Sequence, residues 1–153
     1  MGIAMKPTRT WILIADGSRA RIVEIVGPGH ELHAVEGMTF HGDHASTHEI
    51  MSDRTGRTYS SVGPGRSAIE AHSDPHRELK RKFAQQLADV LAHSLEKRSF
   101  ARLIIVAPPT ALGDLRAAMP AAVRATVSGE VAKDLTKTPN GELADHLKEV
   151  LLS

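Results

Sequence analysis

Hydrophobic and polar positions over the first part of the chain follow a strand-like pattern. A compact apolar run over 11–15 is followed by Asp16-Gly17 and then by a second, more alternating run over 19–26. An Asp-Gly pair between two such runs is a strong hairpin signal, because a type I′ turn requires positive φ at both central residues. The pattern predicts two antiparallel strands, and a third strand is expected over 32–40.

A helical period appears further along the chain. Asp74-Pro75 offers an N-cap followed by a proline at the first helical position, where the missing N–H costs little. Apolar residues then recur at spacings of three and four, namely Leu79, Phe83, Leu87, Val90, Leu91 and Leu95. This spacing predicts a long amphipathic helix whose apolar stripe packs on the sheet, with most basic residues off the stripe.

The second half of the chain adds a buried strand and shorter elements. The continuous apolar run over 103–107 is typical of a central strand that is covered on both faces. A short helix is predicted over 110–118, a strand over 126–132 and a last helix after Thr138-Pro139. The elements together predict an α/β sandwich with a mixed sheet, an N-terminal hairpin, a long basic helix and a C-terminal helix. After a tail over 1–10, residues 11–153 are expected to form a single domain.

Composition narrows the classes of protein that remain. The chain has 153 residues and no Cys, which excludes disulfides, zinc-thiolate sites and Cys nucleophiles. It shows neither a secretory signal pattern nor an apolar run close to the about 20 residues of a membrane span. We therefore expect a cytoplasmic protein without membrane insertion.

A long polar segment precedes the basic helix. The segment 41–51 has little periodicity and is predicted to be a loop or an irregular edge, and 52–73 is rich in Gly, Ser and Arg. Loops above roughly 12 to 15 residues are usually functional or disordered, and we expect 54–71 to be less ordered than its flanks. Between residues 54 and 82 there are seven basic and three acidic residues, although the formal net charge of the chain is only +1.

Such a concentration of positive charge attracts phosphate-rich partners. The alternative explanation is an ordinary solvated surface. The predicted phosphate-contacting residues are Arg54, Arg57, Gly65, Arg66, Ser67, Arg77, Lys80 and Arg81. Aromatic residues make up only 3% of the chain, so any RNA contact should rely on phosphates and shape rather than on base stacking.

Signals for catalysis are weaker than the charge signal. His41, His44 and His48 are close in sequence and His72 and His76 are four apart, but no His-Glu-x-x-His motif is present. Asp16 stands at a strand end, where its Asp-Gly turn is a sufficient structural explanation. Neither a serine elbow nor a nucleotide-binding fingerprint occurs. The sequence predicts no metal, no cofactor and no catalytic residue, and it favours a protein that is not an enzyme.

Several short motifs carry a resemblance to a known family. They are the run over 12–22 (ILIADGSRARI), Gly56 to Ser61, Gly65 to Ala68, Asp74 to His76, and Val131 to Lys137. In this combination and order, nearly the whole chain resembles the bacterial host attachment family. The resemblance implies a role in the attachment of a bacterium to a host cell, with a protein partner in that process, and it specifies no chemistry.

The same layout is more distantly similar to the central domain of eukaryotic and archaeal peptide-chain release factors. In that family a strand ending in Asp-Gly starts the domain, and a loop with Gly-Gly-Gln precedes a long basic helix. Pro64-Gly65-Arg66 occupies the corresponding positions here. An Arg side chain has donors only and no carbonyl acceptor, so the resemblance implies RNA or ribosome contact without peptide release.

Three classes of function are compatible with these observations. The first is a non-catalytic module that contacts RNA or the ribosome through the Gly/Arg loop and the basic helix. The second is a protein-interaction factor that acts in attachment to host cells. The third is a metal-dependent, phosphate-directed hydrolase, which would require acids or histidines to converge. We rank them in this order.

Overall fold

The computed structural model describes residues 9–26, 31–42 and 75–148. In chain order the strands and helices of these residues are β1 (Thr10–Ala15), β2 (Arg19–Val26), β3 (Glu31–His41), α1 (Pro75–Glu96), β4 (Arg102–Val106), α2 (Pro109–Ala118), α3 (Ala121–Arg124), β5 (Val127–Val131) and α4 (Asn140–His146). The predicted α/β class is confirmed, because the five strands form one mixed sheet that is packed with helices.

The order of the strands brings several chain segments to one end of the sheet. Across the sheet the order is β3-β2-β1-β4-β5. The β1–β2 and β2–β3 pairs are antiparallel, and the β1–β4 and β4–β5 pairs are parallel. The carboxyl ends of β1, β3, β4 and β5 therefore lie at the same end, together with the start of β2. We call this the carboxyl end of the sheet.

The core has a part on each face of the sheet. Trp11, Leu13 and Ile105 face α1 and α2, whereas Ile12 and Ile14 face the side that Leu143 and Leu147 cover. Every residue of β1 is buried, which the period-two pattern of a half-exposed strand would not allow. The continuous apolar runs over 11–15 and 103–107 are thus the two central strands, as predicted for the second of them.

The apolar stripe of α1 confirms the helical period. Phe83, Leu87 and Leu91 are buried against the sheet. Leu95 is partly buried and packs on the same cluster. The helix begins at Pro75. Lys80, Arg81 and Lys82 are exposed, whereas Arg77 is only partly exposed.

The β1–β2 hairpin is confirmed, but the predicted type I′ turn is wrong. The central residues are Gly17 and Ser18, and neither has a positive φ. The carboxylate oxygen Oδ1 of Asp16 accepts hydrogen bonds from the backbone N–H groups of Ser18 and Arg19, both at 2.8 Å. Because the Asp side chain supplies the acceptor for the turn, no left-handed residue is needed.

Strand β3 continues through His41, so the first residue of the predicted 41–51 loop is part of the sheet. Its pairing with β2 is irregular, since Arg21 lies opposite Thr39 whereas Val23 lies opposite Ala34. The extra β3 residues form a bulge that contains Gly37, whose φ of 79° is in the left-handed region. Residues 43–51 of the predicted loop lie outside the described residues.

The Gly/Arg-rich segment 52–73 also lies outside the described residues, and with it Arg54, Arg57, Gly65, Arg66 and Ser67. The described chain stops at Gly42 and resumes at Pro75. The expected order of 54–71 therefore stays a prediction.

Candidate functional site

The β1–β2 turn is the centre of a polar cluster at the carboxyl end of the sheet. Besides the two backbone bonds that its Oδ1 accepts, Asp16 has its Oδ2 3.8 Å from Nε of Arg19. The backbone N–H of Gly42 donates to the carbonyl oxygen of Ser18. The end of β3 is thereby attached to the turn that joins β1 and β2.

Lys80 packs on the same turn from the other face of the sheet. A Cβ atom added to Gly17 would lie 2.9 Å from both Cγ and Cδ of Lys80. The absence of a side chain at residue 17 therefore leaves room for the aliphatic part of Lys80, which is an exposed residue. A lysine in this arrangement buries its methylene stem and keeps its ammonium group in water. The basic start of α1 is thus placed beside the β1–β2 turn.

Arg21 connects β2 with the segment that leads into α4. Its Nε donates to Oδ1 of Asn140 at 2.9 Å, and its two terminal nitrogens donate to the backbone carbonyl oxygens of Thr136, at 2.8 Å, and Thr138. All three acceptors are neutral, and within the described ranges no carboxylate forms an ion pair with Arg21. Partial burial lowers the pKa of Arg21 from its ordinary value.

Thr136 stands between two carboxylates. Its hydroxyl donates to Oδ1 of Asp134 at 2.6 Å and lies 3.5 Å from Oδ2 of Asp16. Its backbone N–H also donates to Oδ1 of Asp134, at 3.0 Å. The hydrogen bond from the Thr136 hydroxyl is the main reason that the pKa of Asp134 is lowered, and the positive charges of Lys137 and Arg19 act in the same direction.

A small open pocket lies beside this cluster, on the face of the sheet that α4 covers. Its volume is about 160 Å³. The residues that line it are Ile14, Arg19, Ala20, Arg21, Thr39, Phe40, His41 and Thr136. The surface of the pocket is thus mostly apolar, and the residues around it include two arginines, a histidine and two threonines.

The predicted residues on α1 are in three different situations. The guanidinium of Arg77 donates to both carboxylate oxygens of Asp114, at 2.7 and 2.5 Å, which ties α1 to α2. Arg81 makes a long contact of 3.4 Å with Glu78, and both side chains are more than half exposed. Lys80 lies against Gly17. The remaining predicted phosphate-contacting residues are outside the described residues.

In the part of the chain that the structure describes, no group of three or more His, Asp or Glu residues could hold a metal ion. His41 and His76 are exposed. His44, His48 and His72 lie outside the described residues. Asp16 is occupied by its turn, in agreement with the structural explanation of that residue.

Sequence reasoning did not select Arg21, Asp134, Thr136 or Asn140 as members of a site. A signal for three of them was nevertheless present. Arg21 belongs to the motif over 12–22, and Asp134 and Thr136 belong to the motif over 131–137. The structure brings these two motifs together through the contacts of Arg21 and Thr136.

The fold and the cluster define an α/β protein with helices on both faces of one mixed sheet and a polar site with charges of both signs at the carboxyl end of that sheet. The chain belongs to the family described as "Protein required for attachment to host cells", whose family model matches residues 11–147. No curated protein matches the chain. Over the described ranges, no helix has both the length and the apolar character needed to cross a membrane.

Proposed function

We propose that the protein serves attachment to host cells as a non-catalytic binding module that contacts RNA or the ribosome. The contact would use the start of α1 together with the Gly/Arg-rich segment 52–73. Family membership supports the role in attachment. The proposal of RNA contact rests on how the chain is anchored on either side of that segment.

The single observation that carries the proposal is that the described residues before position 43 and after position 74 meet at the β1–β2 turn. On one side, Gly42 is bonded through its N–H to Ser18. On the other side, Lys80 lies over Gly17. Pro75 is five residues before Lys80, which corresponds to about 8 Å along a helix. Gly42, before the segment, and Lys80, after it, therefore both lie close to the β1–β2 turn.

The charge on the start of α1 supports a phosphate partner. Between residues 75 and 82 there are four basic residues and one acidic residue. Arg77 is engaged with Asp114, whereas Lys80 and Arg81 are exposed. An exposed pair such as Arg81–Glu78 is worth about 0–1 kcal/mol, so a phosphate group can compete for Arg81 at little cost. Guanidinium and ammonium groups in this setting bind phosphates with strong salt dependence.

The order of the elements supports a release-factor-like mode of contact. A strand that ends in Asp16-Gly17, a Gly-containing segment and a long basic helix follow one another, as in the central domain of release factors. Gly65-Arg66 would present a backbone that can enter a tight site and a guanidinium that can hold phosphate. We propose the contact without the hydrolytic step.

The test compares two double variants with the same change in net charge. Lys80→Gln with Arg81→Gln removes the described part of the proposed surface. Lys97→Gln with Arg102→Gln removes two exposed cations. Lys97 lies at the other end of α1, about 25 Å from Lys80 along the helix, and Arg102 lies at the start of β4. Binding of a structured RNA and of a single strand is measured between about 50 and 200 mM salt.

With a single strand, the first variant should reduce the slope of log K against log salt by about 0.7 for each phosphate that the protein no longer neutralises. The control variant should leave the slope close to that of the wild type. Equal effects of the two variants would mean that only net charge matters. No detectable binding by the wild type at low salt would remove the proposal.

A contact with a protein partner during attachment is the second candidate, and the family match over 11–147 is the observation that favours it. The two candidates are separated in a strain that lacks the protein and is complemented with either double variant. If Lys80→Gln with Arg81→Gln abolishes RNA binding but restores adherence to host cells, the protein-partner function takes precedence. Cross-linking in the native bacterium, followed by identification of attached RNA and protein, provides the independent check.

A further inference from the structure

The pocket at the carboxyl end of the sheet has a chemistry that the proposed RNA contact does not use. It lies on the α4 face of the sheet, whereas Lys80 and the rest of α1 lie on the opposite face. We propose that this pocket binds a phosphate group, either as inorganic phosphate or as the end of a small phosphate monoester. The proposal goes beyond the proposed function and does not depend on it.

The register of the strands places the donors side by side. Arg19 and Arg21 are two residues apart on β2 and therefore point to the same face of the sheet. Across the β2–β3 pair, Arg19 lies opposite His41 and Arg21 lies opposite Thr39. Residues directly opposite each other in an antiparallel pair have Cβ atoms about 5 Å apart. Four side chains with hydrogen-bond donors thus form a compact square.

The charge of Arg21 is the second line of evidence. This guanidinium is partly buried, and the oxygens of Thr136, Thr138 and Asn140 that accept its hydrogen bonds are neutral. Removing a charged group from water is costly unless an opposite charge or sufficient hydrogen bonds replace the water. An anion in the pocket would supply the missing negative charge. A guanidinium has five N–H donors, so donors remain after the three bonds that hold the 136–140 segment.

Arg19 is available as a second cation. Its side chain is 47% exposed, and its contact with the carboxylate of Asp16 is long, at 3.8 Å. Asp16 faces Arg19 with its Oδ2, whereas its Oδ1 accepts the two backbone bonds of the turn, and the carboxylate of Asp134 is also near Arg19. Thr136 lines the same pocket, although its hydroxyl already donates to Asp134. The two guanidinium groups match the charge and the several oxygens of a phosphate dianion.

The size of the pocket limits the ligand. A volume of about 160 Å³ is well above the about 10–15 Å³ that a single water molecule needs on the same measure. Pockets that enclose drug-sized ligands are larger, at about 300–1,000 Å³. A phosphate group fits this volume, whereas an entire nucleotide would extend beyond it.

The experiment is a titration of the ¹⁵N-labelled wild-type protein with inorganic phosphate, followed by amide NMR shifts at an ionic strength held constant with sodium chloride. Saturable shifts are expected at Ile14, in the 19–21 and 39–41 stretches, and at Thr136. A second titration with ribose 5-phosphate separates the two sources. Comparable or tighter binding of ribose 5-phosphate would assign a monoester, and exclusive binding of inorganic phosphate would assign the free ion.

Variants test which residues form the site. Arg19→Gln and His41→Gln should each weaken phosphate binding, with Arg19→Gln about tenfold weaker because a charge-assisted hydrogen bond is removed. Arg21 stays unchanged in this experiment, since it also holds the 136–140 segment. Arg9→Gln is the matched control, because Arg9 is an exposed arginine, near the start of β1, whose contact with Glu24 is 3.6 Å.

Three outcomes would overturn the site. One is the lack of a saturable shift in the wild type, which would mean that groups of the protein itself, rather than a bound anion, compensate the charge of Arg21. Another is unchanged binding by Arg19→Gln. The third is a loss of phosphate affinity in Arg9→Gln that equals the loss in Arg19→Gln. Such a result would show that only the net charge of the protein matters. The Lys80→Gln with Arg81→Gln variant should bind phosphate as the wild type does, so the failure of the RNA contact and the failure of this site are distinguishable.

Discussion

Arg77 and Asp114 form a two-pronged ion pair that joins the first turn of α1 to the middle of α2, with nitrogen–oxygen distances of 2.7 and 2.5 Å. The Asp114 side chain is only 12% exposed and that of Arg77 32%. A basic residue that the sequence placed on a phosphate-contacting surface therefore also has a structural partner within the protein.

The first prediction concerns this pair. Arg77→Ala should lower the free energy of unfolding by about 1–3 kcal/mol, because it leaves a mostly buried carboxylate without its donor. Urea unfolding measures the change. In a double-mutant cycle the Arg77→Ala and Asp114→Ala effects should be less than additive. Arg81→Ala is the control, because the exposed pair of Arg81 with Glu78 should contribute less than about 0.5 kcal/mol. If Arg81→Ala destabilises the protein as much as Arg77→Ala does, the stabilising role of the Arg77–Asp114 pair is contradicted.

The second prediction concerns Asp16. Asp16→Ala should destabilise the protein by about 1 kcal/mol, since the backbone N–H groups of Ser18 and Arg19 lose their acceptor. Asp16→Asn keeps an oxygen at the same place and should cost clearly less. The comparison is made by chemical denaturation. An equally large destabilisation in both variants would show that the negative charge, rather than the acceptor geometry, stabilises the turn.

The third prediction concerns the attachment of α4. Arg21→Ala should destabilise the protein by an amount on the order of 3 kcal/mol, because the backbone carbonyl oxygens of Thr136 and Thr138 lose their charged donor. Amide hydrogen exchange at Leu143 and Leu147 should become faster than at Leu103 and Ile105, which belong to the central strand. Arg21→Lys should recover only part of the protection, since an ammonium group cannot reproduce the planar fork.

Amide exchange at Leu143 and Leu147 could be as slow in Arg21→Ala as in the wild type. That result would show that apolar packing alone holds α4. Both leucines are fully buried, so this alternative has a physical basis.

The fourth prediction concerns acid stability. The hydrogen bond from Thr136 lowers the pKa of Asp134, so the folded state holds the ionised carboxylate better than the unfolded chain does. The stabilising contribution is complete above the unfolded pKa of about 3.9 and disappears as the pH falls through the lower folded pKa. Asp134→Asn should therefore show a flatter decline in melting temperature below about pH 4 than the wild type does.

Thr136→Val tests the cause of that shift. Without the hydroxyl, the NMR titration midpoint of Asp134 should move up towards its ordinary value, because the main stabilising donor is gone. A midpoint that does not move would assign the shift to the backbone N–H of residue 136, which the variant keeps, and to the nearby positive charges of Lys137 and Arg19.

The fifth prediction concerns peptide release. The protein should not hydrolyse peptidyl-tRNA in defined ribosome complexes, because the proposed release-factor-like mode of contact would put Arg66 in the place of the loop Gln, and an Arg side chain has no acceptor for the attacking water. A release assay with a bacterial release factor as the positive control provides the measurement. Release that depends on the protein and disappears in Arg66→Ala would contradict this reasoning.

The sequence by itself was sufficient for the class of fold and for most elements. Strands and helices that bury a face leave a period of two or of about 3.6 in the chain, and α1 shows the latter in Phe83, Leu87 and Leu91. The Asp16-Gly17 pair marked the hairpin because turn residues act locally. The same pair misled on the type of turn, since a side-chain oxygen took the place of a left-handed backbone.

Only the tertiary structure decided which polar groups meet. Asp114 is 37 residues from Arg77, and Thr136 is 115 residues from Arg21. No local sequence pattern could therefore predict either contact. The pocket arises from the register of β2 on β3, which includes a bulge that no local pattern predicted. A sequence pattern shows which residues face the core, whereas the partners of a surface charge depend on how distant segments are packed together.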